Sequence, residues 1–290
     1  MDDCIVRAVT GDGAVRCFVA VTTKMVNEAS VIHKTSPCAT AALGRVLTAA
    51  AIMGSMMKGE NDSLTIQIDG GGPIGRLIAI SDSKARVKGY VNNPLVSLPL
   101  KNGKLDVGGV VGHDGLLGII RDFGLKEPYV GKVPLATGEI GDDIALYYAQ
   151  SEQTPSIVAL GVLVDVDLSV KAAGGLILQV MPEATDEQIS NLEKMVAGMP
   201  HMTQMIEEGQ TPEDMIAFVL QNFESYTMET QTTMYKCDCS KKRIERAVRS
   251  LGKAEIEDII EKQGNAELTC HFCNKTYVIT KKELQVMIKQ

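Results

Sequence analysis

Alternating apolar and polar positions predict β-strands through most of residues 1–181. Two runs rich in β-branched residues, Asp3–Thr10 and Ala14–Thr23, flank Gly11-Asp12-Gly13 and predict a β-hairpin. Further strand patterns lie at Leu64–Ile68, Arg76–Ser81, Ala85–Val91, Leu116–Phe123, Tyr129–Thr137, Pro155–Val170 and Gly174–Met181. Ile157–Val164 is apolar on both faces, so we expect other elements to cover both sides of this strand.

Helical patterns interrupt these strands. One helix is predicted near Lys24–His33, and Ser36-Pro37 supplies an N-cap and a first-turn proline for a long helix over Cys38–Met57. The many Ala and Gly residues of the long helix indicate close packing against its neighbours. A further helix is predicted at Asp142–Glu152, whereas 92–115 is rich in Gly, Pro and Asn and is interpreted as irregular. The order of elements predicts an α+β fold whose α/β core has a mixed or antiparallel sheet.

The composition changes at Pro182. Ten acidic residues, one Lys and six Met lie between Glu183 and Glu229. The pairs Thr185 with Gln188 and Thr211 with Asp214 predict the starts of two amphipathic helices, with a short helix around Met202–Glu207 between them. This segment is either a connector packed permanently on the core or a marginal element that detaches. Charge repulsion favours detachment, because short helices owe most of their stability to docking.

The charge is divided unevenly along the chain. The formal net charge is −7, yet Thr232–Gln290 holds 12 Lys and Arg against 8 Asp and Glu, which leaves 17 basic and 28 acidic residues elsewhere. This asymmetry indicates separate modules. We predict a core domain at 1–181, an acidic Met-rich helical linker at 182–231 and a small zinc-binding domain at 232–290.

Four of the seven cysteines have the spacing of a metal site: Cys237, Cys239, Cys270 and Cys273. Thiolates are soft donors that suit Zn²⁺, and four of them complete a tetrahedral site with no position left for a substrate. The arrangement therefore predicts one bound Zn²⁺ and disfavours a catalytic metal centre, so we expect no enzyme. His271 lies inside the second pair and is expected at the surface or beside the ligands.

A closed four-thiolate site has two possible roles. It is either a purely structural zinc ribbon or a redox switch, in which oxidants close the cysteine pairs as disulfides and zinc is released. The spacing alone does not separate these roles, but the acidic linker directly before the site favours a switch.

Several longer motifs extend beyond the cysteines: Ala42–Ala49, Gly70–Gly75, Tyr148–Ser156, Ala173–Pro182, Cys237-Asp238-Cys239-Ser240 and Cys270–Asn274 with Tyr277. With these motifs the whole chain resembles the redox-regulated thirty-three-kilodalton heat-shock protein family, which are bacterial cytosolic holdase chaperones. No metal ligand departs from the family pattern.

The resemblance implies a function. Oxidation would pair Cys237 with Cys239 and Cys270 with Cys273, release zinc and unfold the linker, and the activated homodimer would hold unfolding proteins without ATP. Exposed Met-rich helix faces suit varied apolar clients, and acidity keeps complexes soluble. We expect the client surface to include Met195, Met199, Met202, Met205, Met215, Val219 and Phe223.

The cellular setting follows from three observations. The acidic Met1–Cys4 start does not resemble a secretory signal, and no run of about eighteen uninterrupted apolar residues predicts a membrane span. An odd number of cysteines does not suit a secreted disulfide scaffold, so a reducing cytoplasm is expected. Cys4, Cys17 and Cys38 are interpreted as inert thiols, although Cys4 and Cys17 lie on the two arms of the predicted hairpin.

The alternative function is a zinc ribbon that binds nucleic acid. Lys241, Lys242, Arg243, Arg246 and Arg249 form a basic stripe beside the first cysteine pair. The acidic majority of the chain and its few aromatics argue against this function. We favour docking of the stripe on the acidic linker.

Overall fold

The computed structural model describes residues 1–288 and divides into two compact units, Met1–Lys236 and Cys237–Gln290. Residues 182–236 lie within the first unit. The division into three parts at 181 and 231 stays a prediction.

The first unit is built from eleven strands and seven helices. Its strands are β1 (Cys4–Thr10), β2 (Val15–Val21), β3 (Ser63–Asp69), β4 (Leu77–Asp82), β5 (Arg86–Val91), β6 (Leu116–Asp122), β7 (Tyr129–Pro134), β8 (Ser156–Val164), β9 (Val170–Val180), β10 (Ser225–Thr232) and β11 (Met234–Tyr235). Its helices are α1 (Thr23–His33), α2 (Pro37–Ser55), α3 (Val107–Val111), α4 (Gly141–Ser151), α5 (Asp186–Ala197), α6 (Met202–Glu207) and α7 (Pro212–Val219).

These strands form two sheets. The first sheet has the order β10-β1-β2-β9-β8, and the second has the order β11-β5-β4-β3-β6-β7. The pairs within both sheets are antiparallel apart from the short parallel pair of β11 with β5. The predicted α+β fold with an antiparallel sheet is confirmed, as is the N-terminal hairpin of β1 and β2.

Helix α2 contacts strands of both sheets and is the centre of the main core. The N-cap Ser36 accepts a hydrogen bond from the Ala39 amide, and Pro37 occupies the first turn. A Cβ at Gly44 would lie 2.6 Å from a methyl group of Val26 and 2.8 Å from one of Val162. The small residues of this helix therefore allow the close packing that its composition predicts.

By length and composition, α2 also qualifies as a candidate membrane span, the single one within residues 1–288. However, 89% of its apolar window is buried inside the protein. A central core helix meets such a test because every side of it contacts apolar neighbours.

Helices α5, α6 and α7 cover the opposite face of the first sheet. Both predicted helix starts are present and form capping boxes: Thr185 accepts from the Gln188 amide and Thr211 accepts from the Asp214 amide. The buried residues of this second core are Val6, Ala8, Ala14, Val15, Cys17, Val19, Leu176 and Leu178 from the sheet, and Leu192, Met202, Met205, Met215, Ile216, Val219 and Leu220 from the helical segment. The acidic helices are thus docked, and their apolar faces are buried in this state.

The chain after α7 holds two strands that the sequence analysis did not predict. Ser225–Thr232 is β10 at the edge of the first sheet, where it pairs with β1, and Met234–Tyr235 is β11 at the edge of the second. Most β10 side chains are exposed, so the segment lacks the alternation of apolar and polar positions from which a strand is predicted. Backbone pairing with β1 forms this strand.

Two side chains at β11 form hydrogen bonds to the backbone at and just before β5. The Thr233 hydroxyl donates to the Ala85 carbonyl at 2.8 Å, and the Tyr235 hydroxyl donates to the Gly89 carbonyl at 2.8 Å. Tyr235 also lies 3.1 Å from Nε2 of His33. The end of the first unit is therefore firmly attached to β5 and α1.

The region predicted as irregular contains a helix. Val107–Val111 forms α3, with Asp106 as an N-cap that accepts from the Gly109 amide. Gly70–Gly75 forms the turn that connects β3 to β4. A Cβ at Gly70 would lie 2.4 Å from the Gly112 carbonyl oxygen, so glycine permits the two loops to pack together.

Substitution of Met215 by Ala tests the docking of the helical segment. Met215 is fully buried, so its truncation should lower the free energy of unfolding by about 2–5 kcal/mol and speed protease cleavage within 186–219. Met228→Ala is the matched control, because Met228 is 60% exposed and its loss should cost less than about 0.5 kcal/mol. Equal effects of the two substitutions would contradict the docked arrangement.

Candidate metal centre

Within its described residues, 237–288, the second unit holds three helices and a hairpin: α8 (Lys241–Arg249), α9 (Lys253–Lys262), β12 (Asn265–Thr269), β13 (Thr276–Thr280) and α10 (Lys281–Met287). The sequence patterns predict each element within a few residues: helices at Ser240–Leu251, Ala254–Gln263 and Lys281–Lys289, and strands at Ala266–Thr269 and Thr276–Ile279. Lys289 lies outside the described residues. Six buried residues form the core of the unit: Val248, Ile256, Ala266, Ile279, Leu284 and Met287. So small a core leaves the unit dependent on a further cross-link.

The first cysteine pair lies directly before α8. Ser240 caps this helix by accepting a hydrogen bond from the Arg243 amide at 3.4 Å. The cap is extended, with φ −148° and ψ 157°. Cys237 and Cys239 therefore lie on the non-helical segment that leads into the cap.

The second cysteine pair lies in the turn between β12 and β13. The Cys270 amide donates to the Lys275 carbonyl at 3.0 Å, and the Asn274 amide donates to the Cys270 carbonyl at 2.8 Å. Asn274 has φ 54°, a left-handed conformation that asparagine adopts more readily than most residues. This tight turn brings Cys270 and Cys273 to the same place.

The four sulfurs converge. All four lie within 4.8 Å of one another, with Sγ of Cys237 3.7 Å from Sγ of Cys270 and Sγ of Cys239 3.4 Å from Sγ of Cys273. Thiolates placed about 2.3 Å from one tetrahedral zinc ion lie about 3.8 Å apart. The donor set and its spacing therefore fit one metal ion of this kind.

A tyrosine completes the surroundings of the sulfurs. The hydroxyl of Tyr277, on β13, lies 3.1 Å from Sγ of Cys239. Nζ of Lys275 lies 5.3 Å from the centre of the Tyr277 ring, within the range of a cation–π contact. The sequence analysis used Tyr277 only as part of a motif, and no residue spacing pointed to this contact.

The pKa values of Cys237, Cys239 and Cys273 are shifted in different directions. Burial raises the pKa of Cys237 and of Cys273. Burial also acts on Cys239, but hydrogen bonds from Tyr277 and from the other thiols outweigh it and lower the pKa of Cys239 to about 7. The Tyr277 hydroxyl and the neighbouring thiols thus favour the thiolate form of Cys239.

The other chemically active candidates lie apart from this cluster. Within the described residues, the metal-ligand cluster consists of the four cysteines without His271, which is exposed. On the hairpin, Cys4 pairs with Val21 and Cys17 pairs with Ala8. Cys4 and Cys17 are therefore four positions apart along the strands, roughly 13 Å, too far for a disulfide. Cys17 is fully buried, and burial raises its pKa to about 12.

The basic stripe on α8 is partly engaged within its own unit. Lys241 forms an ion pair with Glu283, and Arg243 forms one with Asp238. These pairs reduce the charge that the stripe offers to a nucleic acid. Docking of the stripe on the acidic segment stays a prediction.

The fold and the site define a class of protein: an α+β body with docked acidic helices, followed by a small unit in which four thiols converge on one metal position. A sequence profile of the family described as Hsp33 protein matches residues 3–280. The chain belongs to the Hsp33 family.

Similar proteins support this membership. The 33 kDa chaperonin of Clostridioides difficile is 49% identical, with 100% of both chains covered, and that of Ruminiclostridium cellulolyticum is 48% identical, with 100% of this chain and 99% of the relative covered. The crystal structure of the 33 kDa chaperonin (heat shock protein 33 homolog) of Thermotoga maritima has a TM-score of 0.92 at 38% identity, covering 100% of this chain and 98% of that chain. Family membership supports a chaperone function, and hence unfolded proteins as clients.

Substitution of Tyr277 by Phe tests the contact with Cys239. The change removes the hydroxyl that contacts the sulfur, and loss of such a supporting hydrogen bond typically weakens metal binding roughly 10–100-fold. Competition with a chromogenic chelator, with Zn²⁺ as the probe, measures this affinity. Tyr226→Phe is the control, because the Tyr226 hydroxyl bonds Glu224 in the first unit. Unchanged zinc affinity in Tyr277→Phe would show that the contact does not support the site.

Proposed function

We propose that the chain is a redox-regulated, ATP-independent holdase chaperone of the reducing cytoplasm, with one Zn²⁺ on Cys237, Cys239, Cys270 and Cys273. The observation that carries the proposal is the combination of four converging thiols with a helical segment whose apolar face is buried on the first sheet. When bound, zinc holds the four sulfurs as thiolates in a closed cage.

Oxidation changes the sulfur chemistry as follows. Two thiolates of a pair give up two electrons and form one S–S bond, while the O–O bond of one hydrogen peroxide breaks and, with two protons from the solvent, two waters form. Two peroxides thus convert Cys237 with Cys239 and Cys270 with Cys273 to disulfides. These sulfurs then no longer bind metal as thiolates.

The choice of pairs decides what happens to the fold. Disulfides within each pair leave the segment before α8 unconnected to the β12–β13 turn. Disulfides across the pairs, Cys237 with Cys270 and Cys239 with Cys273, would staple the two segments together in place of the metal. Because the core of the unit is small, pairing within each motif favours unfolding, and a switch requires this pairing.

Unfolding of the second unit must then spread along the chain to the docked helices. Between α7 and Cys237 the chain consists of β10 and β11, which lie at the edges of the two sheets. The side chains of β10 are largely exposed and contribute little burial, so β10 is among the elements that open most readily. The Thr233 and Tyr235 hydrogen bonds resist this opening and set how far it spreads.

Release of the helices would expose the client surface. Met202, Met205, Met215 and Val219 are buried against the first sheet. They become available to clients only when α6 and α7 leave the sheet, and the apolar sheet residues become available with them. In the same proposal, the activated chain forms a homodimer through newly exposed apolar surface.

An oxidation assay tests the proposal. Zinc-loaded protein is treated with hydrogen peroxide at raised temperature, while a chromogenic chelator reports zinc release and light scattering reports aggregation of a heat-denatured client. We expect suppression of aggregation only after zinc release, because the client surface is buried before it. Peptide mapping should find disulfides within the pairs, and sedimentation should find dimers.

Matched cysteine variants provide the controls. Substitution of Cys4, Cys17 and Cys38 by Ala should leave zinc release and activation unchanged. The melting temperature of this variant checks that the first unit is folded. Ala at Cys237 and Cys273 should abolish zinc binding. Equal suppression before and after oxidation, or cross-paired disulfides in the active form, would overturn the switch. A salt-dependent gel shift with RNA, without suppression, would favour nucleic-acid binding instead.

A further inference from the structure

An open cavity of about 470 Å³ lies between the two sheets of the first unit, at the C-terminal end of α2. Its walls are the ends of β2 and β9 from the first sheet, the end of β6 from the second, and residues of α2, α4 and the loops that follow these helices. The volume falls in the range of small-molecule sites, about 300–1,000 Å³. The lining residues lie between Arg16 and Met181, before the acidic helices begin. The cavity therefore keeps its walls whether or not these helices are docked.

A buried amide side chain lines this cavity without a protein partner. Gln179 is 7% exposed, and across residues 1–288 its side chain has no hydrogen-bond partner. Buried amide groups are nearly always paired, because an unpaired one costs free energy. Gln179 lies on the α2 side of the first sheet, since Ile177, two residues earlier on β9, packs in the α2 core. Its amide is thus available to a molecule in the cavity.

A cationic side chain lies beside this amide. Arg16 on β2 is directly opposite Gln179 on β9, and residues in such positions have Cβ atoms about 4.5–5.5 Å apart. Arg16 is half-buried, lines the same cavity and forms no ion pair within the described residues. A guanidinium and an amide side by side present several N–H donors, which suit the two oxygens of a carboxylate.

The acidic side chains of the lining already have partners. Glu152 accepts from Arg121 at 3.0 Å and from the Tyr147 hydroxyl at 2.5 Å. Asp62 accepts from a backbone amide at 2.8 Å. Lys58, also in the lining, is exposed and has no acidic partner in the part of the chain that the structure describes. The charges left to face a bound molecule are therefore positive.

Much of the remaining lining is apolar and adaptable. It includes four methionines, which we call the cavity methionines, and one phenylalanine: Met53, Met56, Met57, Met181 and Phe123. Thioether sulfurs make favourable contacts with aromatic rings, and the flexible side chains adjust to the shape of a ring. This wall therefore favours a molecule with an aromatic body.

We propose that the cavity binds a small aromatic carboxylate, with its acid group on Arg16 and Gln179 and its ring among the cavity methionines. This binding goes beyond the chaperone function and does not depend on it. A bare inorganic anion would leave the thioethers in contact with water, and an uncharged apolar molecule would leave Arg16 and Gln179 without an acceptor. Because the bound molecule contacts both sheets, it stabilises the folded first unit.

Calorimetric titration of the reduced, zinc-loaded full chain with phenylpropanoate tests the proposal. Two related probes separate its parts: phenylpropanamide lacks the negative charge, and cyclohexylpropanoate lacks the aromatic ring. We expect the amide to bind at least about 10-fold more weakly, because it loses charge-assisted hydrogen bonds. The cyclohexyl acid should bind roughly 2- to 10-fold more weakly, because it loses the sulfur–aromatic contacts. Equal binding of phenylpropanoate and either analogue, or no binding of phenylpropanoate, overturns the proposal.

Two substitutions test the protein side. Gln179→Leu keeps the size of the side chain and removes the amide, and Arg16→Gln removes the cation. Each should weaken phenylpropanoate binding roughly 5- to 20-fold. Lys132→Gln is the matched control, because Lys132 is an exposed residue of β7 outside the cavity, and it should bind within about 2-fold of the native chain.

The melting temperature separates a binding role of Gln179 from a structural one. Since its amide has no protein partner, Gln179→Leu should leave the melting temperature unchanged or raise it. A lowered melting temperature, or native binding by either Gln179→Leu or Arg16→Gln, overturns the proposal. If a variant does not fold, the comparison of phenylpropanoate with its amide on the native chain decides.

Methyl NMR of the methionines locates the bound ring. Phenylpropanoate should shift the methyl resonances of the cavity methionines and leave those of Met202, Met205 and Met215 unchanged, because these three pack beneath the helical segment. Indiscriminate binding of an apolar molecule to Met-rich surfaces would shift both sets. Shifts in both sets, or in the second set alone, overturn the proposed site.

Discussion

Both faces of the first sheet are apolar, and the burial of both faces is the constraint on which the rest of the structure depends. One face packs on α2 and the second sheet. The other face carries residues such as Val15, Val19 and Leu176 and is covered by the helical segment. Exposed apolar area costs about 25 cal/mol per Å². The acidic helices are thereby held in place despite their mutual repulsion.

In the proposed function, the residues that cover the first sheet are also the residues that bind clients. Met202, Met205 and Met215 stabilise the body while docked. Once undocked, they become a flexible apolar surface. The thiol site lies further along the chain, in a unit whose own core is small. In the proposed function, a chemical change at four sulfurs alters a large apolar surface without a large change in the stability of α2 and its surroundings.

Much of this organisation was predictable from the sequence. The capping pairs at Thr185 and Thr211 predicted α5 and α7, and the cysteine spacing predicted the convergence of the four sulfurs. The burial of the linker Met residues was one of two alternatives, because a helical pattern shows that a face is apolar but not what covers it. Strand β10 could not be predicted, since its side chains are largely exposed and its backbone pairing with β1 depends on residues far away in sequence. The Tyr277 contact likewise arises from tertiary packing.

Hydrogen exchange of the backbone amides in 186–219, before and after oxidation, tests the central claim most directly. The account predicts strong protection of these amides in the zinc-bound reduced protein and its loss in the oxidised protein, while the amides of α2 stay protected. Retained protection of 186–219 in an oxidised protein that suppresses client aggregation would contradict it.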